Sequence, residues 1–476
     1  MMRKVFAPLA LALAVSSATQ AATLQDVVMA AWGNDNEWEA ARQNWLAAQE
    51  TEKQGFGGLL PQVTANYTHL KNSRHVEGGE VVISNTPLTL NQPYSFDFET
   101  QTTTVNLVQP LFRVDAWYEY ERSKAISSAA EAEFQNARQA FLLRVTEQYM
   151  NVLRTRENLT TAQAEERAFK RQLEQTNERY KVGLVPITDV NESQAAYDLA
   201  RVGLIVGQSD FQIARDQLEA LTGKRWDSLD GLREELPMAG PEPAAPDTWV
   251  EKAQANNPQV VAARYQAESA KAASRQALGA QLPSVNLVGQ YQHAHTLDIN
   301  TNNQTLNSVS PANEGGYYGV QVSMPLFTGG SVNSRRKQAA LSYQAAEQQY
   351  KLVWRDTGQQ TRSLHRVVEA DVLRVQARRQ ALISAQSALK ATESGYQVGT
   401  RNIVDVVVAQ RNLYSAERDY AAARYDYILD TLRLKASAGM LTEEDLGEIN
   451  GWLDNSQAID LYDVDGQRAD SSDSTR

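Results

Sequence analysis

Two long stretches of the chain carry apolar residues at the spacing of a coiled-coil seam. The first series steps by four, four, three and seven residues and comprises Phe141, Val145, Tyr149, Val152 and Leu159. The second series has the same steps and comprises Leu364, Val368, Val372, Val375 and Leu382. Apolar residues that recur about every 3.5 positions line one side of a helix. The pattern predicts two helices whose narrow apolar seams are covered by neighbouring helices.

The limits of these helices follow from where proline and glycine occur. Residues 114–180 contain neither, and residues 331–396 contain only Gly358 and Gly395. A helix of about 65 residues is roughly 100 Å long at 1.5 Å per residue. We therefore expect two unusually long helices, each ending near a glycine that suits a reversal of the backbone, Gly183 in one case and Gly399 in the other.

Four shorter segments alternate apolar and polar residues, which is typical of β-strands. They begin near Val63, Val105, Val285 and Tyr318, and the last of them extends the alternation through Met324 and Leu326. Polar stretches rich in Asn, Thr, Ser and Gly separate the members of each pair, over residues 75–93 and 298–315. The alternation predicts two β-hairpins with long exposed loops at their tips.

The chain repeats itself. "RYKVGLVPITDVNESQ" (179–194) returns as "GYQVGTRNIVDVVVAQ" (395–410), an offset of 216 residues (396 − 180 = 216), and "VNLVQPLF" (105–112) returns as "VQVSMPLF" (320–327). Each half reads as helix, strand, loop, strand, very long helix, turn and helix. Such self-similarity predicts an internal duplication.

The repeat and the element pattern divide the chain as follows: a signal peptide (1–21), helices of repeat 1 (22–60), β-hairpin 1 (61–112), long helix and turn of repeat 1 (113–222), a linker (223–250), helices of repeat 2 (251–282), β-hairpin 2 (283–327), long helix and turn of repeat 2 (328–440), and a C-terminal segment with a disordered tail (441–476). The linker is expected to fold against the C-terminal segment. The tail after about Trp452 is acidic and Ser-rich, which is typical of disorder.

The N-terminus and the composition indicate an exported protein. Arg3 and Lys4 precede a short apolar run and small residues, the layout of a secretory signal that is cleaved after about Ala21. There are no cysteines and the net charge is −11, so neither a lipid-anchored cysteine nor a nucleic-acid partner is expected. No later segment is long and apolar enough for a membrane helix, so any membrane span must be made of β-strands.

Four strands leave an open sheet edge, which lipid does not tolerate. Three chains would supply twelve strands, an even number that a transmembrane β-barrel allows. We therefore predict a mainly α fold with transmembrane β: a trimeric 12-stranded β-barrel, four strands per protomer, continuous with a long periplasmic helical coiled-coil barrel. The alternative is a periplasmic coiled-coil structural or adaptor protein. Long helices fit both readings, but only the barrel explains the symmetric hairpins.

The chain resembles the TolC family of outer-membrane efflux and secretion channels over nearly its whole length. Matching stretches include "NNPQVVAAR", "SMPLFTGGSVNSRRKQA" and "AQSALKATESGYQVGTRNIVDV". The resemblance implies a homotrimeric exit duct in the outer membrane of a Gram-negative bacterium, reaching into the periplasm. The implied function is multidrug efflux or type I secretion. The implied partners are a periplasmic adaptor and an inner-membrane ABC or RND-type transporter, together with outer-membrane lipid.

The resemblance also assigns roles to the repeated turns, which become the periplasmic tips. Tyr396 and Arg401 are implied to latch the gate shut by bonding to Thr188 and Asp189 of the neighbouring tip, until the inner helices swing outward like an iris. Asp405 is implied to form a ring of three carboxylates that favours cations. The family has a second acid where this chain has Val408, so weaker cation selectivity is expected. From the residues alone, Thr188 and Asn402 are equally readable as helix N-caps.

Nothing in the sequence indicates an enzyme or a cofactor. Among the five histidines, His293 and His295 share one face of a strand but lack a third metal ligand, and are best interpreted as an exposed hairpin end. His365 falls within the second long helix and is expected to be packed or solvated. Trp32, Trp38 and Trp45 are expected to pack against neighbouring helices. The cargo, the pump and the adaptor are not encoded in any motif.

Overall fold

A computed structural model describes residues 21–76, 79–83, 86–90, 94–301, 304–306 and 312–462. The predicted signal peptide, apart from Ala21, lies outside these residues. The helices are α1 (Leu24–Asn34), α2 (Asn36–Gly57), α3 (Val114–Lys181), α4 (Ile187–Thr222), α5 (Pro246–Asn256), α6 (Pro258–Gly279), α7 (Ser331–Gln397), α8 (Ile403–Ser437) and α9 (Glu443–Asn450). The strands are β1 (Gln62–Val76), β2 (Gly79–Ile83), β3 (Thr86–Leu90), β4 (Tyr94–Phe112), β5 (Ser228–Leu232), β6 (Ser284–Thr301), β7 (Gln304–Leu306), β8 (Asn313–Ser323) and β9 (Leu453–Asp460).

Helix lengths recur between the two halves of the chain. α1 and α5 each have 11 residues, and α2 and α6 each have 22. The long helices have 68 and 67 residues, and the helices that follow them have 36 and 35. Both predicted long helices are confirmed, and each is roughly 100 Å long. In the described part of the chain, no helix combines the length and apolar character needed to cross a bilayer.

The four long strands form one antiparallel sheet. β1 pairs with β4, β4 with β6, and β6 with β8. The four predicted strands are therefore confirmed, but their details differ from the prediction. β8 ends at Ser323, so Met324 and Leu326 lie beyond it. The stretches predicted as loops contain the hairpin β2–β3 and the short strand β7, while parts of them lie outside the described residues.

The histidine pair is also placed differently from the prediction. His293 and His295 lie within β6, opposite Thr103 and Gln101 of β4, and both are half-buried rather than at an exposed hairpin end. Within the described residues, no group of three or more His, Cys, Asp or Glu side chains is arranged to hold a metal ion.

A second, small sheet joins segments that are distant in sequence. β5 from the linker pairs antiparallel with β9 from the C-terminal segment, and Ala22 forms a parallel bridge to Leu229. The expected folding of the linker against the C-terminal segment is thus confirmed. The prediction of disorder after Trp452 is wrong for residues 453–462, because β9 pairs along β5 and Leu461 is fully buried. Residues 463–476 lie outside the described part.

The chain divides into two compact units. The first comprises residues 1–42, 134–260 and 354–476, and the second comprises residues 43–133 and 261–353. In the first unit, Trp32 and Trp38 contact one another at 5.5 Å between ring centroids, and Trp38 contacts Phe134 and Phe141. The expected packing of these two tryptophans is confirmed. In the second unit, α2 approaches α3 closely, since a Cβ on Gly55 would lie 2.5 Å from Oγ of Ser123.

The predicted seam is right for α3 and wrong for α7. All five predicted seam residues of α3 are fully buried. On α7, Val368 and Val375 are buried, but Leu364, Val372 and Leu382 are only half-buried. The residues that are buried on α7 are Thr357, Gly358, Thr361, His365, Val368, Asp371 and Val375. Five of these lie 216 residues after the α3 seam, so the duplicated helix buries the equivalent positions although three of them have become polar.

Candidate gating site at the two helix turns

The two repeated turns have the same backbone. Gly183 and Gly399 have φ values of 75° and 79°, in the left-handed region that favours glycine. In the first turn Leu184 N–H donates to the carbonyl of Arg179 at 2.8 Å, and in the second Thr400 N–H donates to the carbonyl of Gly395 at 2.8 Å. These donors and acceptors match at the repeat offset of 216. The sequence therefore builds one turn twice.

The helices that leave the turns begin differently. Asn402 is the N-cap of α8: its side chain accepts from Asp405 N–H at 2.8 Å, and the Asp405 carboxylate accepts from Asn402 N–H at 3.3 Å. This reciprocal pair is a capping box. The N-cap of α4 is Pro186, which has no side-chain cap bond. The interpretation of Asn402 as a cap is confirmed, and that of Thr188 is wrong because α4 begins one residue earlier, at Ile187.

The predicted latch residues form local contacts within one chain. Thr188 Oγ1 lies 3.4 Å from Oδ1 of Asp189, and a guanidinium nitrogen of Arg401 lies 3.9 Å from Oδ2 of Asp405. The hydroxyl oxygen of Tyr396 is buried and has no hydrogen-bond partner among the described residues. Within the same residues, no hydrogen bond or ion pair joins Tyr396 or Arg401 to Thr188 or Asp189. One chain therefore holds the latch residues at its two turns without closing the latch.

Arg401 is positioned by the glycine that ends α7. A Cβ on Gly395 would lie 2.8 Å from Cγ of Arg401 and 3.1 Å from Oγ1 of Thr400. Because glycine has no Cβ, the aliphatic part of Arg401 lies directly against the last turn of α7. The charged end remains accessible, since the side chain is 61% exposed. Arg401 can thus reach an acceptor on another molecule.

Asp405 has a carboxylate with two neighbours, the N–H of Asn402 and the guanidinium of Arg401. It lies in the first turn of α8, where the helix dipole favours a negative charge. Val408, one turn further along, is 48% exposed and supplies no charge. The turn therefore presents one carboxylate per chain at this level of α8, as the sequence predicts.

Polar contacts bind α8 to α3, behind the turns. Tyr414 donates to the carbonyl of Ala164 at 3.3 Å, and Arg418 contacts Glu165 at 2.8 Å. Further along, Tyr425 donates to Glu157 at 2.9 Å. Burial raises the pKa of Tyr425 well above its ordinary value, and the nearby Glu157 carboxylate raises it further, so Tyr425 remains a donor at neutral pH. These contacts fix α8 of the second half to α3 of the first half.

The sequence interpretation missed one residue at the turns. The guanidinium carbon of Arg179, in the last turn of α3, lies 5.0 Å from the centroid of the Tyr396 ring. The available signal was a difference between the repeats, because Arg179 is aligned with Gly395 at the offset of 216. A cation–π contact between distant segments cannot be derived from such a difference alone.

The sequence profile of the family described as "Outer membrane efflux protein" matches two stretches of the chain, residues 27–224 and 249–440. The chain belongs to the outer membrane efflux protein family. The two matched stretches of this efflux protein coincide with the two halves defined by the repeat.

Individual relatives agree with the family. The chain is 31% identical over 441 residues to the outer membrane protein TolC of Vibrio cholerae, which covers 92% of this chain and 95% of that protein. It is 26% identical over 415 residues to the alkaline protease secretion protein AprF of Pseudomonas aeruginosa, covering 87% of this chain and 83% of the other. Among solved structures, the outer membrane protein VceC of Vibrio cholerae is similar in fold, with a TM-score of 0.71, 21% identity and coverage of 87% and 96%.

Membership of the outer membrane efflux proteins confirms three predictions: the family resemblance, the outer-membrane location and the efflux or secretion role. It excludes the alternative of a periplasmic structural or adaptor protein. The family consists of channel proteins rather than enzymes, so no catalytic family is indicated.

Proposed function

We propose that three copies of this chain form one continuous exit duct, gated at its periplasmic end by the two repeated turns. Family membership and the four long strands support the first part, since three copies would close a barrel of twelve strands. The remainder of the duct is a ring of the long helices, again from three copies. The observation that carries this proposal is an interface that one chain forms once although its duplicated sequence encodes it twice.

The interface that one chain forms is that between α3 and α8. Ala421, Tyr425 and Leu429 are four residues apart and therefore share a face of α8. Tyr425 bonds to Glu157 of α3, and the three residues are only 2, 3 and 9% exposed. This face of α8 is thus covered by its own chain.

The equivalent interface would join α4 to α7. At the offset of 216, the counterparts of Ala421 and Leu429 on α4 are Ile205 and Ile213, which are 58 and 52% exposed. The counterpart of Glu157 on α7 is Leu373, which is 67% exposed. Both faces are apolar and uncovered within one chain. A second copy that places its α7 on α4 would repeat the α3–α8 contact and bury them.

Cross-linking tests this arrangement, because the chain has no cysteine of its own. Ser209 is the counterpart of Tyr425, so Ser209→Cys combined with Leu373→Cys places thiols on the two proposed faces. A short bismaleimide should join copies into a ladder that ends at three chains in denaturing gels. Each single-cysteine variant is the control and should give little ladder. A product that remains at one chain, or a ladder beyond three, contradicts the trimer.

The gate is proposed to close when Tyr396 and Arg401 bond to Thr188 and Asp189 of the adjacent tip. Support comes from the buried hydroxyl of Tyr396, which has no acceptor among the described residues and therefore needs one. Arg401 has an exposed guanidinium that can donate to Asp189 in fork geometry. An iris-like outward movement of α7 and α8 would break these bonds.

Planar-bilayer recordings test the latch. Combining Arg401→Ser with Tyr396→Phe removes both donors while keeping the aromatic ring, so the single-channel conductance should rise. Thr160→Ala provides a control on the same long helix, away from the turns. Conductance that stays at the wild-type value in the double variant excludes the latch assignment.

Asp405 is proposed to form the cation-selective constriction. Three carboxylates around one axis attract cations, and the apolar Val408 leaves this ring undoubled. Asp405→Ala should shift the reversal potential in a KCl gradient toward lower cation preference, whereas Val408→Asp should shift it the opposite way. Since Asp405 also caps α8, Asp405→Asn is the comparison that retains hydrogen bonding without the charge. Unchanged selectivity in Asp405→Asn would place the constriction elsewhere.

The partners are proposed to be a periplasmic adaptor and an inner-membrane transporter, as in tripartite efflux and type I secretion. Relatives include a TolC and the protease secretion proteins AprF and PrtF, so either cargo class suits this chain. Affinity purification from the native membrane, after cross-linking, should recover an adaptor and a transporter of the ABC or RND type. Recovery of neither contradicts this part of the proposal.

A further inference from the structure

Arg179 holds the Tyr396 ring from a different segment of the same chain. Arg179 is half-buried in the last turn of α3, and Tyr396 is half-buried in the last turn of α7. The distance of 5.0 Å from the guanidinium carbon to the ring centroid lies within the range of a cation–π contact, which extends to about 6 Å. The contact joins the ends of the two long helices at the level of the turns.

The surroundings indicate that this contact is the main interaction of the Arg179 charge. In the same turn, Lys181 pairs with Glu178 at 2.7 Å. Arg179, by contrast, has no carboxylate within ion-pair distance among the described residues. Since the hydroxyl of Tyr396 likewise lacks a partner there, the ring face is the part of this side chain that α3 holds.

The repeat shows that the contact is made at only one of the two turns. Tyr180 is the counterpart of Tyr396, and the counterpart of Arg179 is Gly395. A glycine cannot supply a cation to the Tyr180 ring, which is 43% exposed. The chain therefore anchors the tyrosine of α7, the helix that moves in the proposed gate, and leaves the tyrosine of α3 without an equivalent anchor.

We propose that Arg179 is a positioning residue of the gate, which holds α7 against α3 within each chain and presents the Tyr396 hydroxyl to its acceptor on the adjacent tip. This inference rests on the proposed gating function and adds a residue to it. The closed state is then held by two different bonds to one tyrosine: an intrachain contact to the ring and an interchain bond to the hydroxyl. Outward movement of α7 has to break both.

Single-channel recordings of Arg179→Gln test the inference, with Lys181→Gln as the matched control that removes a cation from the same helical turn. A cation–π contact at a partly exposed site corresponds to about a two- to fivefold change in an equilibrium, so Arg179→Gln should raise the open-to-closed ratio by about that factor. Lys181→Gln should leave the ratio unchanged, and Arg179→Lys should restore part of the wild-type behaviour.

The background in which Arg179→Gln is measured separates the ring from the hydroxyl. In Tyr396→Phe the ring remains, so the effect of Arg179→Gln should persist. In Tyr396→Leu the ring is lost, so Arg179→Gln should add nothing, whereas Arg401→Ser should still raise conductance in that background and so show that the gate is not already fully open. An effect of Arg179→Gln that persists in Tyr396→Leu overturns the inference.

The same recordings distinguish failure of the inference from failure of the gate. If the Arg401→Ser and Tyr396→Phe double variant raises conductance but Arg179→Gln does not, the gate stands and Arg179 has no positioning role. If neither raises conductance, the proposed gate itself is wrong and the inference falls with it. An equal rise in Lys181→Gln would assign the effect to helix charge rather than to the ring contact.

Discussion

The two halves of the chain bury equivalent helix positions with different chemistry. On α3 the buried residues include Phe141, Val145 and Tyr149, while the equivalent residues on α7 are Thr357, Thr361 and His365. Tyr149 donates a hydrogen bond to the carbonyl of Asp230 at 2.8 Å. Both ring nitrogens of His365, by contrast, have no hydrogen-bond partner among the described residues, although the carboxylate of Glu369 is 3.5 Å from Nδ1.

The comparison teaches that duplication preserved the backbone while packing diverged. An apolar seam stabilises α3 through transfer of its side chains from water, which a polar seam provides to a smaller extent. The helix with the polar seam, α7, is also the one that carries Tyr396 and leads into the turn with Arg401. A less tightly packed α7 suits the half that is proposed to move, and a well-packed α3 suits the half that stays in place.

The largest expected difference between the halves is in seam truncation. Phe141→Ala should lower the free energy of unfolding by about 3–5 kcal/mol, because it removes a buried aromatic ring and leaves a cavity. The matched Thr357→Ala should lower it by roughly 1 kcal/mol. Urea unfolding in detergent, followed by far-UV circular dichroism, gives both values. Equal losses would show that the two seams are energetically alike and would remove the contrast.

The next largest effect concerns Asp371, a buried residue of α7 whose counterpart on α3 is Thr155. Burial raises the pKa of Asp371 to about 6; Arg374 lowers it, and the carboxylates of Asp430 and Asp426 raise it. The folded state therefore binds this proton more tightly than the unfolded state, whose ordinary pKa is 3.8. Stability from this group should increase as pH falls from about 6 to about 4.

Unfolding midpoints measured between pH 4 and pH 7 test this expectation. Asp371→Asn removes the titration and should flatten the profile, while Asp371→Thr, which introduces the α3 residue, should do the same. Thr155→Ala is the control in the other half and should leave the pH dependence of the wild-type protein intact. A profile that keeps its slope in Asp371→Asn would assign the titration to another group.

A smaller difference is expected at the two turns. Asn402→Ala removes the cap of α8 and should cost about 1 kcal/mol. Thr188→Ala should change stability by less than about 0.5 kcal/mol, because Thr188 does not cap α4. Hydrogen exchange should show faster opening of the Asp405 amide in the first variant alone. Comparable losses in both would mean that Thr188 stabilises α4 through another contact.

The smallest effect should come from His365. Replacing it with leucine removes two buried nitrogens that lack hydrogen bonds within the described residues, so His365→Leu should raise stability by up to about 1 kcal/mol. Tyr149→Phe, the matched change in the first half, should lower stability, because it leaves the carbonyl of Asp230 without its donor. Urea midpoints report both signs. Destabilisation by His365→Leu would indicate that the imidazole has a partner in the assembled protein.

The fold was predictable where local chemistry decides it. The long helices follow from the absence of proline and glycine, and both turns follow from Gly183 and Gly399. The α7 seam was not found by hydrophobicity, since Leu364 and Val372 are more apolar than Thr361 and His365. The repeat offset of 216 identifies it, because burial follows the copied backbone geometry.

Other features depend on contacts between distant segments. β9 is polar and acidic, and it is ordered through pairing with β5, more than 200 residues earlier (453 − 232 = 221). The cap at Thr188 was mispredicted because helix initiation shifted by one residue, to follow Pro186. Arg179 acquires its role only when α3 and α7 lie side by side. Sequence patterns report local preference, and these features are set by tertiary packing.

The small sheet built on β5 has a consequence for biosynthesis. Ala22 and Leu461 are both bonded to the segment around β5, through Ser228 and Asp227 respectively. Its last partner is therefore delivered only when translation and export are almost finished. Contacts so far apart in sequence form late. A polypeptide cut short before residue 453 lacks the closing strand, so the small sheet proofreads chain completeness before neighbours can assemble.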